Sequence, residues 1–335
     1  MTVIQYKESG NIQSAEVLDA DTAVPQLNKC IKTETNIIRK ADCASKLAMI
    51  YNEGLLGKVS RTEAIKNSEI AYELVPDDMI YVHNLGLAYY NAGSYKKAEP
   101  LLKRCAEANP DKLDNYNKVT CASKLGWMYF AGQLGGKDLK KAVANYKIAN
   151  QLEPDNSVYA NNLAHCANKI GIAYAKGKRG QKADLDKAFE YYELAHKVVP
   201  NEIIYNNHLA DTCYKLGRYE QAKILYENCL NAELTSSFSN INKADCANTL
   251  SSIYRSEQEF DKALENLVKA YEFHPTNNVY THNLAINYFD YGNYPKASAL
   301  FRQCANGDLT EHFTESVRDA CIEGVKLSGE ALREL

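Results

Sequence analysis

The sequence predicts an all-α protein, a solenoid of about seven stacked helical hairpins closed by a C-terminal helix. Three observations carry this. Two unrelated sequence markers recur at one interval, apolar residues fall four apart within each copy, and prolines stand where second helices must stop.

The first marker is Tyr-x-x-Asn-Leu, opened by Tyr81, Tyr159 and Tyr280, with a variant at Tyr205 that carries His208 in place of the Asn. The second is a Cys-Ala step at Cys43, Cys121, Cys166 and Cys246. Cys43 to Cys121 is 78 residues, and so is Tyr81 to Tyr159. Two markers with one offset indicate a duplicated unit, and 78 residues is twice the length of a two-helix repeat.

Within each copy, Leu85 and Tyr89 share a helical face, and Gly86, Ala98 and Cys105 are small enough to let helix axes approach. Ser94, Asp138 and Asp186 are expected to cap second helices. Pro76, Pro110, Pro154, Pro200 and Pro275 stand where those helices should end. One hairpin cannot bury its apolar face alone, so each must stack on its neighbours.

These residues resemble the tetratricopeptide family, whose pattern sets Leu-Gly/Ala and Tyr on a first helix and small-aromatic-small-Pro on a second. Leu125, Gly126, Tyr129, Ala142, Tyr146, Ala149 and Pro154 follow it closely, and seven copies cover about 41–306. Three copies carry glycine-rich turns at 52–57, 131–136 and 175–180, which resemble the Sel1-like variant with its longer inter-helix loop. The resemblance implies a right-handed α-α superhelix. It divides the chain into a loose segment at 1–22, a repeat array at 23–310 and a capping helix at 311–335. The array opens with a half-repeat at 23–30. In 157–176 the two markers run together, which predicts one unusually long helix.

The composition is that of an ordered chain, with 45% hydrophobic and 24% charged residues. The formal net charge of -3 gives no basic excess for nucleic acid or an acidic membrane. No apolar run approaches the roughly 18 residues of a membrane span. Residues 1–10 lack the basic start and apolar stretch of an export signal. A cytoplasmic setting is therefore expected, with the ten Cys reduced and serving as small core residues.

No metal site is expected. Cys105/Cys121, Cys229/Cys246 and Cys304/Cys321 are 16 or 17 residues apart, but no Cys-x-x-Cys occurs. No nucleophile–base grouping or cofactor motif stands out. The stretch from Gly132 to Lys137 lacks the Ser/Thr and the spacing of a phosphate loop.

The candidate function is binding of a protein or peptide by the first helices, which the resemblance places on the concave face. Asn84, Asn162 and Asn283 stand before the pattern Leu, where peptide-binding members often carry Asn, and His208 takes that place in another copy. Lys46, Lys124 and Lys169 form a second column, and Trp127, Tyr90 and Phe130 are candidate aromatic anchors. Members that clamp a C-terminal carboxylate place Lys and Arg two residues before and after that Leu. Here those places hold Ser45 and Met49, His83 and Leu87, Ser123 and Trp127, so the clamp is not implied. The leading expectation is an interaction scaffold or adaptor. Its rivals are a sensor of a short signalling peptide acting through a partner, and an enzyme with a site hidden between repeats.

Overall fold

A computed structural model describes residues 20–177, 182–235 and 238–334. Apart from its last three residues, the segment expected to be loose at 1–22 lies outside them, as does half of the glycine-rich turn at 175–180. The described residues form sixteen α-helices and no strand. The all-helical repeat architecture expected from the sequence is what the chain adopts, in two compact units, Met1–Ala167 and Asn168–Leu335.

In the first unit, α1 (Ala20–Thr33) is the opening half-repeat. Hairpins follow as α2 (Ile37–Glu53) with α3 (Arg61–Leu74), α4 (Met79–Asn91) with α5 (Tyr95–Ala106), and α6 (Asn115–Ala131) with α7 (Leu139–Leu152). The helix α8 (Ser157–Lys176) is the fused 20-residue helix that the merged markers predict, and it runs across the boundary of the units. In the second unit come α9 (Leu185–Val198), α10 (Ile203–Lys215) with α11 (Tyr219–Asn231), α12 (Asn240–Ser256) with α13 (Phe260–Phe273), and α14 (Asn278–Asp290) with α15 (Tyr294–Ala305). The closing helix is α16 (Glu315–Glu334).

Local chemistry accounts for the boundaries. Gly54 and Gly132 end α2 and α6 in the left-handed region, at φ 70° and 78°, and send their N–H groups back to the Ile50 and Met128 carbonyls. Asp138 caps α7 by accepting from the Lys141 N–H. The cap of α9 is Asp184, which accepts from the Lys187 N–H, and not Asp186, which lies inside the first helical turn. Ser94 precedes α5 but makes no side-chain cap bond.

Small residues set the helix spacing. A Cβ on Gly126 would meet the Tyr146 ring at 2.9 Å, and one on Gly171 would meet the Tyr192 ring at 2.6 Å. The tyrosines do more than fill space. Tyr129 on α6 donates to Glu99 on α5 at 2.6 Å, and Tyr254 on α12 donates to Glu227 on α11 at 2.9 Å; Tyr89 makes the equivalent bond to Glu69. Each of these three tyrosines thus ties its helix to the hairpin before it.

The cysteines differ from expectation. Eight of the ten form four disulfides: Cys30–Cys43, Cys105–Cys121, Cys229–Cys246 and Cys304–Cys321. The other two, Cys166 and Cys213, are buried and lie outside any disulfide. A small-residue slot is by itself a sufficient reason for cysteine. The stacking of adjacent hairpins brings those slots to Cα–Cα distances of 5.9–6.4 Å, within disulfide reach.

Candidate partner-binding groove

In the first unit, α2, α4 and α6 are first helices of successive hairpins, and a cavity of about 310 Å³ opens between them. Met49 on α2, Ile80 and Leu87 on α4 and Tyr116 on α6 supply apolar surface. Met49, Ile80 and Tyr116 are 44%, 49% and 74% exposed, more than single core positions would leave uncovered. Asn52, Ser68, Asn84, Asn117 and Thr120 add amides and hydroxyls. Glu53 is the one acidic residue in the lining, and no Lys or Arg is among the lining residues. Met49, His83 and Leu87, three of the places where carboxylate-clamping members carry cations, therefore line this cavity with neutral groups.

The amide column is internally bonded. Asn84 donates through Nδ2 to Ser45 Oγ at 2.8 Å, and Asn91 donates to Asn52 Oδ1 at 2.9 Å, each from α4 to α2. With its Nδ2 committed, Asn84 presents Oδ1 to His83 Nδ1 at 3.0 Å. His83 Nδ1 then donates, and its Nε2 carries a lone pair. That Nε2 is buried and has no hydrogen-bond partner. Burial pushes the His83 pKa down, against the pull of Asn84 and the charge of Asp114, so the ring is neutral.

The aromatic anchors come together beside one another. Tyr90, Tyr95 and Trp127 form a three-ring cluster with centroids 5.7–6.0 Å apart. The Lys124 ammonium lies 5.1 Å above the Tyr90 ring. Trp127 stays 37% exposed. Phe130 is half-buried and meets the His165 ring edge-on. Lys46 and Asn162 are half-buried in the first unit.

In the second unit, Asn283 donates to Asn248 Oδ1 at 2.8 Å, repeating the Asn84–Ser45 link, and Lys169 is exposed. His208 pairs with Asn168 through Nδ1 at 2.8 Å and lies against the Tyr192 ring. Burial lowers its pKa too. His208 also lines a smaller cavity of about 170 Å³ with Asn207, Asp211 and Asp245. The residues that sequence reasoning left out of the site are Met49, Ile80, Leu87 and Tyr116. Their signal was an apolar residue on a first helix at a place the core does not need.

The fold defines an all-helical repeat scaffold, a class that serves protein–protein contact. The chain carries tetratricopeptide repeats: models described as "Tetratricopeptide repeat" match residues 81–112 and 201–276. No curated protein matches the chain. Among solved structures, the TPR2AB domain of yeast Sti1 in its pHSP90 complex is 17% identical with a TM-score of 0.43, covering 86% of this chain and 98% of its own. Yeast Tom70 is 17% identical with a TM-score of 0.37, covering 94% of this chain and 58% of its own. MamA from Desulfovibrio magneticus RS-1 is 14% identical with a TM-score of 0.36, covering 57% of this chain and 94% of its own. Among the described residues, no helix is long and apolar enough to cross a membrane, and no group of His, Cys, Asp and Glu could hold a metal ion.

Proposed function

We propose that the first unit is a docking scaffold for a segment of another protein, held in the groove between α2, α4 and α6. One observation carries the reading: exposed Met49, Ile80 and Tyr116 converge on a cavity whose lining includes amides and one carboxylate but no cation. Burial of an aliphatic side chain against Met49, Ile80 and Leu87 would supply most of the affinity, and the neighbouring amides would fix the segment's register. The Glu53 carboxylate favours a hydrogen-bond donor over an acceptor. The preferred segment is therefore aliphatic and neutral or basic, and the carboxylate-ended peptide is the poor ligand. Asn84 and Asn283, the amides singled out from the sequence, act in this reading as links between successive first helices that hold the groove in shape. The role is that of a scaffold and not a catalyst.

An immobilised peptide library sorted by charge and aliphatic content tests the proposal. Wild-type protein should enrich neutral or basic peptides with an aliphatic residue. Met49→Asp should weaken those peptides more than about tenfold, from lost burial and a buried charge. Its melting temperature should not move, because Met49 is exposed. Preferential capture of acidic or carboxylate-ended peptides, or full retention by Met49→Asp, would refute the reading.

A further inference from the structure

We propose that this chain matures and works in oxidising surroundings, its four disulfides acting as covalent staples between successive repeats. The proposal stands apart from the groove and rests on where the cysteines fall.

Each disulfide joins the second helix of one repeat to the first helix of the next: α1 to α2, α5 to α6, α11 to α12 and, at the end, α15 to α16. None closes a hairpin on itself. In both units the stapled second-helix cysteines are 75 residues apart, Cys30 to Cys105 and Cys229 to Cys304, so a staple returns every second repeat.

The unstapled junctions show why the pairs belong together. Seven residues after the small residue that starts each second-helix pattern, the chain carries either Cys (30, 105, 229, 304) or Ala (71, 149, 195, 270). Four residues before the pattern Leu of the following helix, or Val325 in α16, it carries Cys after Cys and Tyr after Ala. Ala71 and Tyr81 share one apolar cluster, and Ala270 and Tyr280 share another. A small residue against a large one and a cysteine against a cysteine are thus two solutions to the same slot. The Ala–Tyr junctions are short, four residues with Pro at the second, as at Pro76, Pro154, Pro200 and Pro275. Three of the four stapled junctions span eight or nine residues. A four-residue proline turn constrains the next helix locally, whereas a longer linker leaves it freer, and the disulfide restores the constraint.

The exceptions fit. Cys166 occupies a Cys-Ala step inside the fused helix α8, where the preceding second helix offers Ala149 instead of a partner cysteine, and it stays a thiol. Cys105, Cys121, Cys229, Cys304 and Cys321 are 0% exposed. Once closed, their staples are shielded from exchange.

Each staple forms when two thiols lose two protons and two electrons and one S–S bond closes. The electrons pass to the disulfide of an oxidising exchange partner, which leaves as two thiols. Reducing cytoplasm, the setting expected from the sequence, would oppose this step.

The test uses the full chain purified without reductant from cells that make it, with N-ethylmaleimide present from lysis and again after unfolding in guanidinium. Mass spectrometry should find the label on Cys166 and Cys213 alone and four cross-linked peptide pairs with the stated partners. Label on all ten cysteines, or any other pairing, overturns the proposal. As a second measurement, adding reductant during thermal unfolding of the oxidised protein should lower the melting temperature by about 10 °C or more. An unchanged melting temperature with the bonds shown to be open would overturn the staple role.

Discussion

Gly171 shows how one missing side chain sets a helix distance. Its Cα faces the Tyr192 ring so closely that a methyl group would stand 2.6 Å from a ring carbon. Alanine gains about 1 kcal/mol of helix propensity there, but overpacking against a buried ring costs about 1–3 kcal/mol. Gly86 is the contrasting case, because its neighbour is the flexible end of Leu102 at 3.0 Å. Gly171→Ala should therefore destabilise and Gly86→Ala should be close to neutral, as read by urea unfolding; the reverse ranking would contradict this account of the spacing. The glycines were legible in the sequence, because their column is periodic. The state of the amides was not. Asn84 and Asn283 looked like free groups because their partners, Ser45 and Asn248, lie a whole repeat away, at separations of 39 and 35 residues. A periodic sequence shows which column a residue occupies, but not whether two neighbouring columns meet.

At the scale of elements, hairpins are joined by a few repeated devices. Arg104 on α5 donates to the Tyr72 hydroxyl and the Pro76 carbonyl at the end of α3, both at 3.1 Å. Gln303 holds the equivalent place on α15, accepting from Tyr271 and donating to the Pro275 carbonyl, both at 3.0 Å. Each of these residues directly precedes a stapled cysteine, so one helix turn grips backward by hydrogen bonds and forward by a covalent bond. Removing the forward grip with Cys105→Ala/Cys121→Ala releases a loop of separation 16 in the unfolded chain and should cost about 3 kcal/mol. The staples should also differ in access. Cys30 and Cys43 are half-buried, whereas the cysteines of the other three are almost fully buried. A phosphine reductant acting on the folded protein should open Cys30–Cys43 first, as followed by alkylation and peptide mapping. Helix existence, the fused helix and the glycine-rich turns could all be read from the sequence. The cap of α9 could not be placed, because Asp184 and Asp186 are equally good caps and only backbone geometry selects between them. The disulfides were missed because a cysteine that suits a small-residue slot gives no sign, by itself, that the facing slot is within bonding distance.

Across the whole molecule, the repeat places tyrosines at equivalent positions and histidines at or beside the Asn position, so the chain's pH response should be a sum over repeats. His83, His208 and His282 are all held below the ordinary histidine range, in each case chiefly by burial. The folded state keeps these rings neutral while the unfolded chain takes up protons below about pH 6.5. Their contribution is therefore present above pH 6.5 and is lost as pH falls below it. The tyrosines act at the other end. Burial, reinforced by hydrogen bonds to Glu69 and Glu227, pushes the Tyr89 and Tyr254 hydroxyls up to about 12. Burial and the Asp42 carboxylate raise Tyr81 in the same direction, and burial and Asp245 raise Tyr280. Unfolded tyrosine ionises near pH 10, so these groups favour folding below pH 10 and cease to do so as pH rises from 10 through 12. Stability should form a plateau between about pH 6.5 and 10 with a fall on either side. Urea midpoints from pH 5 to 11 check the shape, with tyrosinate absorbance near 295 nm recorded in parallel. The absorbance of the buried tyrosines should rise with unfolding and not ahead of it. Early ionisation in the folded protein, or midpoints that stay level from pH 6.5 down to 5, would mean that the tyrosine and histidine columns are open to water and do not hold the hairpins together as described.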